Sequence, residues 1–197
     1  MSSIFSDPFF RRGTTLLGGE TIEFSDAPTN SKPAAGTEII GQVKVFQDVE
    51  PTGTQKRLSN RLVYCVAARY TGTTVTDAST IAGELFLFDP ASPMSEFSTK
   101  ATATNATVGQ SVGVLDEYLG KVELRKNDIV WLVVKGPTKI KRTGTAIASG
   151  STIQPSSTGG QTVVYSSGVP IAQQIGDGGD AGAAVALVRV NMHSDDI

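Results

Sequence analysis

The run at residues 128–134 (DIVWLVV) constrains this chain more than any other feature, because it reads as a β-strand that is apolar on both faces. Successive side chains of a strand point to opposite sides, so Trp131 and its odd-numbered neighbours would face one side and Leu132 and its even-numbered neighbours the other. Such a strand needs cover on both faces, as a central strand of a sandwich or barrel has. The next residues, Lys135, Gly136 and Pro137, are expected to end the pairing, since proline lacks an amide donor and glycine suits a tight turn.

The same character recurs elsewhere along the chain. Residues 61–70 and 84–88 are also apolar on both faces, and Val43 and Val45 alternate with polar neighbours, which is typical of a half-buried strand. Residues 89–113 are rich in Ser, Thr, Ala and Pro and predict a surface excursion or an edge strand. The best short helical candidate, residues 112–119, is too brief to outweigh these signals. The sequence therefore predicts an all-β fold, with a β-sandwich or small β-barrel core.

An extended N-terminal arm is predicted for residues 1–36, because Pro and Gly interrupt every periodic run there. The arm carries more apolar side chains than a solvated linker needs, so it either packs on its own domain or lies as a strap on a partner. Residues 37–192 are predicted to form the β-rich domain, undivided or divided near residue 115 into two β subdomains, and residues 193–197 are predicted to form a mobile tail. The residues predicted to bind a partner are Phe5, Phe9, Phe10, Arg11, Arg12, Leu16 and Leu17.

Composition excludes several classes of partner. The 197 residues suffice for one well-buried core, and 17 Lys and Arg against 19 Asp and Glu give a net charge of −2. This balance offers no electrostatic reason to bind nucleic acid or an anionic membrane, and no stretch is long and apolar enough to span a bilayer. The single Cys65 cannot form an internal disulfide and reads as a small core side chain. With no secretory signal recognisable, synthesis in a cytoplasm is expected, and the sequon at Asn105 is read as accidental.

No set of residues predicts catalysis, a cofactor or a metal. Residues 176–181 (GDGGDA) match a dinucleotide-binding fingerprint, but that motif works only between a strand and a helix, and the residues that follow read as a strand. A calcium turn through Asp177 and Asp180 would lack the tandem repeat typical of such sites. The only histidine, His193, lies in the predicted tail, where no third group could orient it and too few co-ligands exist for zinc.

Two further candidates have a structural interpretation. Asp116 and Glu117 are adjacent and would point to opposite faces of a strand, so a turn or surface role is expected rather than acid and base catalysis. Lys135 could carry biotin or lipoate only at a hairpin tip flanked by symmetric apolar neighbours, which the run VVKGP lacks.

Most of residues 42–192 resemble the head decoration or capsid cement proteins of tailed bacteriophages. The resemblance rests on VLDEYLGKVELRKNDIVWLVVKGPTKIK, then TGTAIASGSTI and IGDGGDAGAAVALVRVNM, and upstream on VFQDVEPTGTQKRLSNRLVYCVAARY. These runs are similar to a K-N/G-D-x-V/F-W-x-V-V-x-G-P strand, an A-I-A-x-G turn, a closing A-G-x-x-V-x-V strand and an F-x-D-V … R-x-S-N-R segment of that family.

The resemblance implies a β-rich, non-enzymatic virion protein on the outer surface of an icosahedral capsid. Its partners would be the major capsid protein and itself, as a homotrimer, and it would cement neighbouring capsid subunits. The alternative from another class is a glycan-binding or host-adhesion module, which exposed Trp or Tyr side chains would favour. An enzyme is the third alternative and lacks a recognisable site.

Overall fold

The computed structural model describes residues 41–49, 57–88, 97–100, 111–116, 123–125, 128–144, 146–167, 170–175 and 185–191. Within these ranges the chain forms strands and one short 3-10 helix at Ala78–Thr80, which Asp77 caps by accepting a hydrogen bond from the Ser79 N–H. The strands are β1 (Val43–Val49), β2 (Arg57–Arg69), β3 (Leu85–Phe88), β4 (Phe97–Lys100), β5 (Ser111–Leu115), β6 (Ile129–Lys141), β7 (Thr152–Pro155), β8 (Thr162–Val164), β9 (Ala172–Gln174) and β10 (Val185–Asn191).

The strands pair into one antiparallel sheet whose centre is β6. The sheet has ten strands, and its main path runs β4-β3-β5-β6-β10-β9-β7-β8, while β2 pairs with β6 and β1 pairs with β2. The all-β prediction is therefore confirmed. The alternative of a small barrel is wrong for the described strands, because the path ends at β4 and at β8 without closing.

Both faces of β6 are buried, as the sequence pattern predicts. Ile129, Trp131 and Val133 belong to one apolar cluster, and Val130, Leu132 and Val134 to a second. The first cluster includes Ile153 of β7 and Ala172 of β9, which lie far from β6 along the sheet path. The sheet therefore folds back over this face of β6. The second face is covered by residues between β2 and β3 and by the segment before β6, namely Tyr70, Val75, Ala78, Ile81, Ala82 and Leu124.

The expectation that pairing stops at Lys135, Gly136 and Pro137 is wrong. The strand continues to Lys141, and what changes at this step is the partner: residues up to Lys135 pair with β2, and residues from Lys135 onward pair with β10. Gly136 has a φ of 110°, a conformation that glycine adopts without a steric penalty. Proline is tolerated where a ladder is interrupted, and the change of partner is such a place.

The remaining strand predictions differ from the structure mainly in the residues at which the strands begin and end. The pattern at residues 61–70 belongs to a longer strand, β2, and the short helical candidate at 112–119 overlaps strand β5. The predicted edge strand in residues 89–113 corresponds to β4, at one end of the sheet path. Trp131 and Cys65 are buried, at 2% and 0% exposure, which confirms their predicted core positions. The predicted arm at 1–36 and tail at 193–197 lie outside the described residues.

Candidate contact surface

An apolar surface lies on the ribbon formed by β1 and β2. Directly opposite residues of an antiparallel pair share a face, so Val43 lies beside Val66 and Val45 beside Tyr64, with Leu62 following on the same side. Burial on this face decreases along β2, from Val66 at 7% exposure, through the half-buried Tyr64, to Leu62 at 42%. Val43 is 38% exposed. We call Val43, Val45, Leu62 and Tyr64 the ribbon face.

The ribbon face adjoins a sheet edge. The carbonyl of Gln42 accepts a hydrogen bond from the N–H of Ala67, at 3.0 Å, so the even-numbered residues of β1 direct their backbone groups toward β2. By the alternation of an antiparallel ladder, Val43 and Val45 direct their N–H and C=O groups the other way. Among the described strands, β1 pairs with β2 alone. A row of backbone groups beside apolar side chains is the arrangement that an added strand or a protein partner can use.

Lys135 lies at the border of the ribbon face. Its ammonium group stands 5.3 Å from the centroid of the Tyr64 ring, within the range of a cation–π contact. Lys135 also lies inside β6, where it pairs with Tyr64 and Asn191, and not at a hairpin tip as a carrier lysine would. The lysine therefore contributes one positive charge to an otherwise apolar surface.

A charged pair ties the start of β3 to the end of β6. Lys141 Nζ lies 3.2 Å from Glu84 Oε1, with both side chains largely buried, and it also donates to the carbonyl of Thr80. Gly160 allows this arrangement, because a Cβ atom there would stand 2.6 Å from Glu84 Oε2. The opposite charges of the two side chains compensate each other, and the pair joins the start of β3 to the end of β6.

Asp128 closes the turn that leads into β6. Its Oδ2 atom accepts a hydrogen bond from the Arg125 N–H at 2.7 Å, and its own N–H donates to the Arg125 carbonyl at 3.1 Å. Asp128 is buried, and this desolvation raises the pKa of its carboxyl above 3.8, against the opposing effects of the Arg125 N–H and the Arg125 charge. The residue therefore has a structural role that is sensitive to pH.

Replacing Asp128 with asparagine is expected to raise the free energy of unfolding modestly at neutral pH. A carboxyl with a raised pKa binds its proton more tightly in the folded protein, so its contribution to stability is greatest below its ordinary pKa near 3.8 and falls as the pH rises to the folded value. Asparagine keeps an oxygen for the Arg125 N–H and carries no charge. The advantage of Asp128→Asn should therefore shrink as the pH is lowered through this window, measured by urea unfolding at several pH values.

A comparison variant is Glu123→Gln, which removes a charge that also raises the pKa of Asp128, although less than burial does. Glu123 pairs with Arg125 at 2.9 Å and both side chains are nearly half exposed, so its own effect on stability should be no more than about 0.5 kcal/mol. An Asp128→Asn variant that loses stability at neutral pH would contradict the pKa direction and show that the ionised carboxylate is needed.

The described residues contain no group of three or more His, Cys, Asp or Glu side chains that could hold a metal ion. No helix in the described part of the chain is long and apolar enough to cross a membrane. A turn or surface role is expected for Asp116, and the surface part of this expectation is wrong: the residue directly follows β5, is 2% exposed, and its N–H donates to the Trp131 carbonyl at 3.3 Å. It is buried because it directly follows β5 and remains hydrogen-bonded to the central strand β6. Glu117 lies outside the described residues.

The residues predicted to bind a partner cannot be placed, since Phe5, Phe9, Phe10, Arg11, Arg12, Leu16 and Leu17 all precede residue 41. His193 and the glycine-rich run at 176–181 also lie outside the described residues. The ribbon face was not predicted as a site. Its one signal in the sequence is the apolar side chain of Leu62 directly after the polar run RLSNR.

No protein-family model matches this chain, and no curated protein matches it. Among solved structures it is similar to the N base of the head fiber protein gp8.5 of bacteriophage phi29, with 12% sequence identity and a TM-score of 0.41. The similarity covers 66% of this chain and 95% of the phi29 chain. We draw no functional conclusion from a likeness of this degree.

Proposed function

We propose that this chain is a structural protein of a tailed-bacteriophage virion that binds the outer surface of the capsid and cements neighbouring major-capsid subunits. The proposal rests on one observation: the residues that resemble the decoration and cement proteins form the central strands of the sheet. The run IVWLVVKGP forms the first part of the central strand β6, and the run VALVRVN forms β10, which pairs with β6 over seven residue pairs. The resemblance thus involves the residues that organise the fold.

A role in contact fits the ribbon face. Burying a valine or leucine side chain contributes about 1.5–3 kcal/mol of transfer free energy, less the cost of ordering both partners. Val43 and Leu62 are 38% and 42% exposed, so a partner that covers them gains roughly two fifths of this contribution at each residue. The row of backbone groups at the edge of β1 adds directional hydrogen bonds, which apolar contact alone does not supply.

The arm supplies a second contact in this proposal. Phe5, Phe9, Phe10, Leu16 and Leu17, with Arg11 and Arg12 between them, would lie across a neighbouring capsid subunit or a neighbouring copy of the chain. In a homotrimer three arms act together, and linked sites gain avidity over a single site because each rebinds at a high local concentration.

Charge supports a protein partner over the other classes. The net charge of −2 gives no general attraction to nucleic acid or to anionic lipid. The proposed work requires contact and no chemistry, so the proposal includes neither an enzymatic activity nor a cofactor. Synthesis takes place in the host cytoplasm, and the protein functions on the capsid.

The proposal is tested by adding purified protein to capsids that lack it and measuring the bound fraction by sedimentation. Leu62→Glu places a charge on the ribbon face and is expected to weaken binding about tenfold or more, whereas Val164→Glu, at the same 42% exposure on the distant strand β8, leaves binding unchanged. Deleting residues 1–24 is expected to weaken binding while the melting temperature stays near that of the wild type.

Three results would contradict the proposal. Wild-type protein that does not bind these capsids excludes a cement role. Equal binding by Leu62→Glu and the wild type excludes the ribbon face as the contact. A truncated chain that unfolds would place the arm in its own core and exclude the strap.

A further inference from the structure

A continuous row of paired residues joins the ribbon face to the end of β10. Val45 of β1 lies directly opposite Tyr64 of β2, and Tyr64 lies opposite Lys135 of β6. Lys135 in turn lies opposite Asn191, the last residue of β10. Neighbouring strands are about 4.8 Å apart, so the backbone at Asn191 lies no more than roughly 15 Å from that at Val45. The chain therefore leaves β10 beside the ribbon face.

Lys135 is an exposed cation at the border of this face. Its ammonium group contacts the Tyr64 ring, and no carboxylate of the described residues forms an ion pair with it. On the same face, Leu62 and Val43 expose aliphatic surface. A segment that matches this surface should therefore carry a negative charge for the lysine, with an aliphatic side chain close to it.

The residues that follow β10 have this combination. After Asn191 and Met192 come residues 193–197 (HSDDI), here called the tail, which contain Asp195, Asp196 and Ile197. An extended chain advances about 3.3–3.6 Å per residue, so Asp195 can reach about 13 Å from Asn191, whereas Lys135 is one strand away. Ile197 can reach about 20 Å, which is farther than Val45. The tail is thus long enough to cross the row from β10 to β1.

We propose that the tail binds the ribbon face of its own chain, with one of its aspartates against Lys135 and Ile197 against the aliphatic side chains. The order of the groups agrees: along the tail the acids precede the isoleucine, and along the row from β10 the lysine precedes Val45. An exposed ion pair is weak by itself, but a tethered segment binds at a high local concentration, so modest contacts suffice.

A second copy of the ribbon face fits this surface less well. In a two-fold dimer the same patch meets itself, so the Lys135 side chains of both copies would enter one interface. The ribbon face consists of Val43, Val45, Leu62 and Tyr64, and none of these offers an acid to the lysine of the other copy. The acidic tail supplies the charge that a second ribbon face lacks.

A docked tail competes with every other partner of the ribbon face. In the free protein it covers apolar side chains that would otherwise favour association with other proteins. A partner that binds the ribbon face has to displace the tail, so its apparent affinity falls by the fraction of chains in which the face is open. Tail docking itself is independent of the proposed capsid contact, and only the competition with a capsid rests on that proposed function.

The docking is tested on the full-length chain by ¹⁵N relaxation, without any capsid. The amides of Asp195 and Asp196 should have order parameters above about 0.7, whereas those of an unbound segment fall below about 0.6. Lys135→Glu should lower them to the unbound range. Lys139→Glu, at an exposed lysine four residues further along β6, should leave them unchanged. Combining Lys135→Glu with Asp195→Lys and Asp196→Lys should restore the order, because the charges are then exchanged.

Deleting residues 193–197 provides a second measurement. The deletion should shift the methyl resonances of Val43 and Leu62 and leave those of Val164, on the distant strand β8, unchanged. It should also strengthen binding to capsids about threefold or more, because the tail no longer occupies the face. An ordered tail whose deletion leaves capsid binding unchanged keeps the docking and counts against the ribbon face as the capsid contact, so the two proposals fail separately.

Three results would overturn the proposal. They are order parameters below about 0.6 in the wild type, order that Lys135→Glu leaves intact, and Leu62 methyl resonances that the deletion does not shift. Order that is lost on dilution would assign the tail to the ribbon face of a second copy and would equally exclude binding within one chain. Melting temperatures near that of the wild type show that the variants remain folded, as expected for substitutions of exposed side chains.

Discussion

Replacing Trp131 with alanine is expected to lower the free energy of unfolding by about 3–5 kcal/mol, a large part of the total stability of an ordinary domain. Trp131 is 2% exposed, lies opposite Ala67 of β2, and contacts the Phe46 ring edge-on, with centroids 5.4 Å apart and planes at 74°. Its removal deletes the largest side chain of the first apolar cluster. The rigid sheet on both sides of β6 cannot close such a cavity.

Urea unfolding followed by far-ultraviolet circular dichroism measures this effect, because the variant lacks the only tryptophan. Trp131→Phe should lose clearly less stability, since most of the ring volume remains. Tyr165→Ala, at an exposed aromatic position, should stay within about 0.5 kcal/mol of the wild type. In the wild type, tryptophan emission should be that of a buried indole. Water-exposed emission, or equal stability of Trp131→Ala and the wild type, would contradict the two-sided core.

The two-sided core could be predicted because periodicity alone determines it. Alternating side chains point to opposite faces of a strand, so all the apolar side chains of the run IVWLVV around Trp131 are buried only when both faces are covered. The pattern does not say what covers each face. One cover is the returning part of the sheet, with Ile153 and Ala172, and the other is the connection after β2, with Ile81. Both depend on contacts between residues distant in sequence, which a local pattern does not encode.

The ribbon face could not be predicted from the sequence for a related reason. Leu62 and Val63 are similar side chains in the same strand, yet one is 42% exposed and the other fully buried. The difference arises because adjacent residues of a strand point to opposite faces: Val63 points into the first apolar cluster, and Leu62 points to the ribbon face. Tyr70 and Tyr165 each directly follow a strand, yet Tyr70 is 2% exposed and Tyr165 is 41% exposed. The amino-acid sequence supplies the apolar and aromatic groups, and the topology decides which of them reach the surface.

At Gly136 the sequence correctly predicts an interruption of the strand pairing, but it does not predict that β6 continues with a new partner. Glycine followed by proline does mark a disruption of the ladder, and at this point β6 exchanges β2 for β10 as its partner. The strand continues because the second partner begins at the residue where the first one ends. The pattern at Lys135, Gly136 and Pro137 could not predict this partner, because β10 lies about fifty residues later in the chain.

Replacing Gly136 with alanine is expected to destabilise the fold by about 3 kcal/mol or more, through two separate effects. A φ of 110° is strained for any residue with a side chain. In addition, the new Cβ atom would stand 2.5 Å from the Leu62 carbonyl oxygen and 3.0 Å from the Val63 Cα atom. These are backbone atoms of β2, so β2 and β6 would have to separate to relieve the contact.

Two glycines of the same chain separate these effects in urea unfolding. Gly150 has a φ of 84° and no heavy atom within 4 Å of the place that a Cβ atom would take, so Gly150→Ala should cost only the backbone strain, about 1–3 kcal/mol. Gly144 has open space and no positive φ, so Gly144→Ala should change stability by less than about 0.5 kcal/mol. If Gly136→Ala costs no more than Gly150→Ala, the close approach of β2 to β6 does not exist. If it costs more, the excess measures that approach. Because Leu62 of the ribbon face lies at this contact, the same substitution should then also reduce capsid binding in the fraction of protein that remains folded.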